Sequence, residues 1–570
     1  MPTPIETAHA NAAAWLLKPF DAVTRAEAQH LVDSAGEPFI EAFYKDLDFG
    51  TGGMRGIMGV GTNRINPYTL GKATQGLVNY TVKNTGKSAL KAAIAHDSRN
   101  NSRTFAQKVA EVLSANGVET YLFEDLRPTP ELSFAVRELG CDFGIVLTAS
   151  HNPKEYNGYK VYWNDGGQLV PPHDKGVIAE VRAVDFKDIQ WEANPAIIHE
   201  LSESMDQAYL KQVVSHSLTH AGKDQLKVVF TALHGTSIVS VPPALEAAGF
   251  QHVDVLEAQA TPDGNFPTVA SPNPEEPEAL SMAIAKAEAT GADLVIGCDP
   301  DTDRVGIAVN NGHGKMELLN GNDTAALLVA YVLEQQKATG VLPKNAYTAA
   351  TIVTSDLIVE ISAAFNVPCH RCLTGFKWIA DIIERTPEGQ FIVGGEESYG
   401  YLVGSAVRDK DAVVSAVMIA EMAAHAKSLG RTVLQQLEHV HRTYGQYQER
   451  LISIKKEGRT GAEEIAAMME ELRSNPPASL AGSPVTTLLD HGKQEERDLR
   501  SGVSTSTNLP ASNVLQFITE DGSKVSARPS GTEPKIKFYF SVKATTGENH
   551  AATKQALNTK IDGIIKELDL

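Results

Sequence analysis

The sequence predicts an α/β chain of three related α/β domains with mixed, largely parallel sheets, followed by a smaller C-terminal α+β domain. Three observations carry this. A strand–helix alternation occurs three times, the last strand of each pass runs into a polar loop, and the end of the chain changes to a two-residue period. At 570 residues one core would not suffice, and about three or four domains of ~100–200 residues are expected.

The first pass covers 91–150: strand "KAAIAHD", helix "SRTFAQKVAEVLSANG" with Ser102 as N-cap, strand "VETYLF", helix "PTPELSFAVRELG", and the buried strand "DFGIVL" running into "TASHNP". Asn152-Pro153 cannot prolong that strand, because proline has no amide donor, so Ser150 falls on a loop at its carboxyl end. The second pass, 226–304, repeats the order from "LKVVFTAL" to "ADLVIGC" and the loop "DPDTDR". A third starts at "NDTAALLVAYVLEQQ" and ends with "QFIVG", which delivers "GEESYG"; the helix after it, "DKDAVVSAVMIAEMAAHAKSLG", is expected to carry acids in its first turn. Ligands of open α/β sheets bind at strand carboxyl ends, so three polar loops there point to one shared cleft. Near the end, Ile536, Phe538, Phe540 and Val542 alternate onto one face. In the first 40 residues Thr24 and Glu27 fit a capping box, and no chemistry is visible.

A net charge of −19 argues against nucleic-acid or anionic-membrane partners, which select basic surfaces. The N-terminus lacks a basic region followed by an apolar run, and no segment approaches the ~20 apolar residues of a membrane span; a cytoplasmic location is expected. Cys141, Cys298, Cys369 and Cys372 are too few for a disulfide scaffold, and nothing near "CHRC" looks thioredoxin-like.

In "DPDTDR", Asp299, Asp301 and Asp303 at spacing two can turn three carboxylates to one side, an unfavourable crowding unless a cation neutralises it. Oxygen ligands without His or Cys favour magnesium, and the EF-hand is excluded because Arg304 and Asn310 stand where its Gly and Glu belong. "RPSGTEP" offers Arg528, Ser530, Gly531 and Thr532 as a possible phosphate cradle, and "TGGMRG" offers Arg55 on a glycine-rich backbone. Glu396 and Ser398 of "GEESYG" are acceptors suited to sugar hydroxyls, and "TGFKW" contributes Thr374, Gly375 and Lys377. A Ser-His-Asp hydrolase is excluded because Ser150 is flanked by Ala149 and His151 rather than the glycines of a nucleophile elbow. A hydroxyl nucleophile near a metal and anion-binding loops points to phosphoryl transfer.

With "TASHNP", "DPDTDR", "GEESYG" and "RPSGTEP" in this order, the chain resembles the α-D-phosphohexomutase superfamily over roughly residues 45–545, in particular its long bacterial phosphoglucomutase/phosphomannomutase-like branch akin to the phosphoglucomutase-2 group. The resemblance implies four domains around a central cleft, placed here at 1–205, 206–317, 318–450 and 451–570. It implies that Ser150 is carried as a phosphoserine whose loop His151 and Asn152 shape, and that Asp299, Asp301 and Asp303 hold Mg2+ together with a phosphoserine oxygen. By the same resemblance Arg55 and Lys160 flank the phosphoserine, with Lys160 assisting proton removal. Arg304 contacts substrate, Glu396 and Ser398 read the sugar, and Arg528, Ser530, Gly531 and Thr532 clamp the idle phosphate with Lys377. The implied reaction interconverts α-D-glucose 1-phosphate and glucose 6-phosphate through glucose 1,6-bisphosphate, in a monomer or homodimer whose partner is a small phosphosugar. Phosphomannomutase and phosphopentomutase activities are the alternatives within the family. Outside it stand a phosphatase using Asp299 as nucleophile and a silent sugar-phosphate sensor.

Overall fold

The computed structural model describes residues 3–50, 52–456, 458–530, 535–544 and 549–570. The chain divides into two compact units, Met1–Asn320 with Ala380–Pro387 and Ser398–Thr432, and Gly321–Ile379 with Glu388–Glu397 and Val433–Leu570.

The first unit holds two mixed sheets. In one, β1 (Gly53–Ile57), β2 (Lys91–His96), β3 (Glu119–Phe123), β4 (Phe143–Leu147), β5 (Tyr156–Trp163) and β6 (Ile198–Leu201) lie in the order β1-β5-β4-β2-β3-β6. The β4-β2, β2-β3 and β3-β6 pairings are parallel, while β5 runs antiparallel to both β4 and β1. The second contains β7 (Lys227–Thr231), β8 (His252–Val255), β9 (Leu294–Cys298), β10 (Val305–Asn310) and β11 (Met316–Leu319) in the order β11-β10-β9-β7-β8; β7 pairs parallel with β8 and β9, and β10 antiparallel with β9 and β11. Every residue of β4 and β9 is buried, as expected where helices cover both faces of a sheet. Ile94, Phe143, Ile145 and Val161 pack with Leu70, Leu77, Phe105 and Val109 of two covering helices.

Three N-terminal helices (Pro4–Trp15, Ala22–Ser34 and Glu37–Phe43) form a satellite core around Trp15, Phe20, Phe39 and Phe43. Caps differ from expectation in three places. Asp21, not a Thr24–Glu27 box, accepts from the amides of Val23 and Thr24; a carboxylate one turn earlier reaches two orphan donors at once. Asn101 at φ 66°, rather than Ser102, precedes the helix Ser102–Ala115. In "DKDAVV" the acids lie before the helix Ala412–Ser428, with Asp411 as its N-cap.

Burial pushes the Asp411 carboxyl up to about 6, against the hydrogen bonds from Val414 N, Tyr209 Oη and Val413 N. Since the unfolded value lies near 3.9, the folded chain keeps a proton that the unfolded chain loses between about pH 4 and 6, and stability falls as pH rises through that window by on the order of 3 kcal/mol. Asp411→Asn caps without titrating. Its unfolding midpoint should therefore gain on that of the parent between pH 4 and pH 7, and a pH-independent gap would refute this. Helix Ala412–Ser428 also carries Glu421, fully buried and 2.7 Å from Lys223 Nζ. Glu421→Ala leaves that ammonium in the core without its counter-charge and is expected to cost ~3–5 kcal/mol, read as a lowered unfolding midpoint in urea.

In the second unit β12 (Ala346–Thr351) pairs parallel with β13 (Cys369–Cys372) and β14 (Gln390–Gly395). The cysteines of "CHRC" thus sit in a strand as free thiols. The C-terminal part is an antiparallel sheet in which Gln446–Lys455, Lys535–Ala544, Lys524–Pro529, Leu515–Thr519, Ser483–Asp490, Glu495–Asp498 and Ser504–Ser506 neighbour one another in that order. Ile536, Phe538, Phe540 and Val542 all enter its core, with Ile465 and Met469 of the helix Gly458–Ser474 and Leu557 and Ile561 of the helix His550–Glu567. No single described helix is long and apolar enough to cross a membrane.

Candidate active site

Two hairpins at strand carboxyl ends meet in the first unit. The first leaves β4 at Leu147 and returns antiparallel as β5, so that Lys160 stands opposite Val146. Its loop folds on itself, with Ser150 N donating to Thr148 Oγ1 at 2.8 Å and Asn152 N to Ala149 O at 3.1 Å. Ser150 itself has φ 51°, a left-handed conformation that non-glycine residues adopt mainly where surroundings over-determine it. The β5 end comes close at Gly158, where a Cβ would lie 2.5 Å from Thr148 O and 2.8 Å from Met54 O; a side chain there would push the serine loop away. The second hairpin leaves β9 at Cys298 and returns as β10 with Val305 opposite Cys298. Six residues, 299–304, make that turn.

The loops touch at Ser150, whose Oγ donates to Asp299 Oδ2 at 2.6 Å and lies 3.1 Å from His151 Nδ1. The three aspartates are buried, and one oxygen from each lies within 4.8 Å of the others. Their oxygens divide the work. Asp299 Oδ1 accepts from the amides of Asp303 (3.1 Å) and Arg304 (2.9 Å). Asp301 Oδ2 accepts from Lys160 Nζ at 2.6 Å and Thr129 Oγ1 at 3.0 Å, and Asp303 Oδ2 from Lys160 Nζ at 2.8 Å, with Lys410 Nζ at 3.1 Å. Asp301 Oδ1 and Asp303 Oδ1 are buried without a hydrogen-bond partner among the described residues. A carboxylate cluster in which Asp301 and Asp303 are each anchored at one oxygen and keep the other buried and unsatisfied fits a hard divalent cation such as Mg2+. Among the described residues it is the only such group of three.

The electrostatics agree with this crowding. Burial, Asp301 and Asp303 hold the Asp299 carboxyl well above its ordinary range. Burial would raise Asp303 too, but Lys160, Lys410 and Arg304 override it and hold that carboxyl low. For Lys160 burial works against the charge, yet Asp301 and Asp303 keep the ammonium above the usual lysine value. His151 is pushed well below the ordinary imidazole range by burial and by the guanidinium groups of Arg304 and Arg55, so its ring is neutral at pH 7.

Other positively charged side chains surround the serine loop. Arg55 Nη1 donates to Asn152 Oδ1 at 2.8 Å, and Arg304 is paired with Glu275. Arg99, Lys410 and Thr129 lie outside the motifs that the sequence presents. The signal for Arg99 was available, since "HDSRN" follows the apolar strand β2 as the other polar loops follow theirs. Lys410 and Thr129 carry no local signal, because each reaches the aspartates from a distant segment. His234, in the loop "TALHGT", turns its ring to Thr261 O and Thr268 Oγ1, both at 2.9 Å. The same loop supports the metal loop: Thr236 N donates to Pro300 O at 2.8 Å, and a Cβ on Gly235 would lie 2.4 Å from Pro300 Cα.

The second unit places Thr374, Gly375, Lys377 and Glu396 together: Gly375 N donates to Glu396 Oε1 at 2.8 Å, and Lys377 Nζ stands 5.0 Å from the Trp378 ring centroid. Withdrawal from solvent and the neighbouring Glu396 push the Glu397 carboxyl up to about 7. Arg528 lies opposite Lys537 in the C-terminal sheet, and Ser530 N donates to Lys535 O at 2.7 Å. Gly531 and Thr532 lie outside the described residues. Ser398, half-buried in a turn, belongs to the first unit.

Models of the phosphoglucomutase/phosphomannomutase α/β/α domains I, II and III match residues 46–188, 207–312 and 320–443. The chain belongs to this family. It therefore falls in the α-D-phosphohexomutase superfamily and is a phosphosugar mutase, an isomerase that works by phosphoryl transfer. A phosphoglucomutase of Staphylococcus aureus (strain USA300) is 38% identical over 522 residues, 91% of this chain and 93% of that protein. The phosphoglucomutase of S. aureus strain MRSA252 is 38% identical over 508 residues, 88% of this chain and 91% of that one. In fold the chain is similar to pp63/parafusin, a phosphoglucomutase from Paramecium in an open form, with TM-score 0.68, 16% identity and coverage of 92% and 96% of the two chains. A phosphoglucomutase/phosphomannomutase family protein from Burkholderia thailandensis gives TM-score 0.65 at 19% identity, covering 91% and 97%.

Proposed function

We propose that this phosphosugar mutase interconverts α-D-glucose 1-phosphate and glucose 6-phosphate through a phosphorylated Ser150 and a glucose 1,6-bisphosphate intermediate. The observation that carries the reading is the 2.6 Å contact between Ser150 Oγ and Asp299 Oδ2, which puts a hydroxyl nucleophile against a carboxylate cluster suited to a divalent cation. Glucose is favoured by the "GEES" loop and by the relatives that are phosphoglucomutases.

In the proposed cycle the phosphoryl group leaves Ser150 Oγ for the free 6-hydroxyl of glucose 1-phosphate, breaking the Oγ–P bond and forming O6–P. The bisphosphate then turns over, and its 1-phosphate returns to Ser150. Asp299, Asp301 and Asp303 would hold Mg2+, which when bound supplies positive charge against the oxygens of the transferring group. Arg55 and Arg304 contribute charge from the protein side, and neutral His151 shapes the loop. Lys160 is the group we assign to the proton of the accepting hydroxyl. Because its ion pairs with Asp301 and Asp303 keep it charged, it must lose a proton before it can act as a base. Glu396 and Ser398 would read the sugar hydroxyls, with Thr374 and Gly375 next to Glu396, and Arg528, Ser530, Gly531, Thr532 and Lys377 would clamp the idle phosphate. Domain limits at 205, 317 and 450 accompany this reading.

A coupled assay of glucose 1-phosphate with Mg2+ and a trace of glucose 1,6-bisphosphate, run beside mannose 1-phosphate and ribose 1-phosphate, tests the proposal. Glucose 1-phosphate is expected to give the highest kcat/KM. A preference for either other sugar would reassign the substrate, and no turnover of any would reject the cycle.

A further inference from the structure

Thr129 opens the helix Thr129–Glu138 and is completely buried. It meets the metal loop twice: its backbone N–H donates to Asp301 O at 2.9 Å and its hydroxyl to Asp301 Oδ2 at 3.0 Å. With Lys160 on the same Oδ2, the carboxylate is gripped at one oxygen. Its other oxygen, Oδ1, is buried without a hydrogen-bond partner among the described residues. Lys160 reaches that oxygen with a flexible ammonium that can follow a rotation about Cβ–Cγ, whereas a hydroxyl fixed at the start of a helix limits it. The approach to this helix is itself tied down, because Arg127 grips Asp206 through Nε (2.7 Å) and Nη2 (2.8 Å).

We infer that Thr129 is a positioning residue for the divalent cation: it sets the Asp301 carboxylate so that Oδ1 faces the ion, without itself touching ion or substrate. The inference rests on the metal site proposed above. Partners that orient metal ligands commonly contribute about 10- to 100-fold in metal affinity, so the hydroxyl should matter and the methyl should not.

The test is calorimetric titration of the full, unphosphorylated chain with Mn2+, comparing the parent with Thr129→Val, Thr129→Ser and Asp301→Asn. Thr129→Val is expected to bind Mn2+ about 10-fold more weakly or worse, and Thr129→Ser within about 3-fold of the parent. A purely structural role would lower the heat-unfolding midpoint and leave the affinity of the folded protein unchanged. Parent-like affinity in Thr129→Val, with binding abolished in Asp301→Asn, overturns the positioning role and spares the metal site. A parent that binds no Mn2+, or an Asp301→Asn that binds as tightly, removes the site and the inference with it. Should Thr129→Val fail to fold, Thr129→Ala against Thr129→Ser makes the same comparison: weaker binding in Ala supports the inference and equal binding overturns it.

Discussion

Ser150→Ala is expected to lower turnover of glucose 1-phosphate by on the order of 10^4-fold or more, the scale on which loss of a nucleophile is felt when the rest of a site stays intact. Alanine is a clean replacement here. It keeps the Cβ that the loop already accommodates at φ 51°, and it removes only the Oγ contacts to Asp299 and His151. Divalent-cation binding should persist, because the aspartates keep their other partners. Incubation with glucose 1,6-bisphosphate labelled on phosphorus should mark Ser150 in the parent and nothing in the variant. The competing possibility, a phosphatase with Asp299 as nucleophile, predicts label on an aspartate and an active Ser150→Ala. Physical grounds weigh against it: Asp299 Oδ1 is committed to two backbone amides and Oδ2 to the serine hydroxyl, so neither oxygen is poised to attack. Parent-like turnover in Ser150→Ala would nevertheless end the phosphoserine reading.

What could be read in the sequence, and what could not, divides along local and non-local information. The apolar run "ADLVIGC" followed by acids at spacing two announces a buried strand delivering carboxylates, and the structure brings all three together. Ile536, Phe538, Phe540 and Val542 were legible for the same reason, since a two-residue period belongs to one strand. The antiparallel returns through β5 and β10 were not, because both strands are buried almost throughout and so carry no two-residue period to mark them. Those returns are what bring Lys160 to Asp301 and Asp303. The sequence places Lys410 within a helix, while the chain holds it just before the helix, where it meets Asp303. The caps failed for a subtler reason. Ser, Thr, Asn and Asp all satisfy orphan amides, and which of several neighbours does so depends on where the chain enters the helix.

Arg99 stands in a polar loop that the sequence marks, but its partners some fifty residues on are not marked, and they carry the second large effect. Its side chain is wholly buried and its donors are spread over the serine loop: Nη2 donates to Ser150 O at 2.6 Å and to Asn152 O, and Nη1 to Pro153 O at 2.9 Å and Tyr156 O at 3.1 Å. Four carbonyls that would otherwise splay are fixed by one planar group. Asp97 lies 3.4 Å from Nε, and its Oδ1 is bound to Arg99 N and Ser102 Oγ. Arg99→Leu leaves Asp97 buried without its counter-charge and is expected to destabilise the chain by ~3–5 kcal/mol, which would confound any activity measurement. Arg99→Lys is the sharper variant. An ammonium can still face Asp97 but cannot serve four carbonyls in a fixed fork, so the fold should survive while Ser150 loses its exact placement. Since displacement of a reacting group by about 1 Å can cost on the order of 10^2-fold, kcat/KM in Arg99→Lys should fall by roughly that factor, with Mn2+ affinity unchanged because no aspartate of the triad touches Arg99. Parent-like kcat/KM in a folded Arg99→Lys would mean that the β4–β5 hairpin positions the serine unaided. A loss of Mn2+ affinity would instead mean that the serine loop and the metal loop are held as one body, through the Ser150–Asp299 contact that joins them.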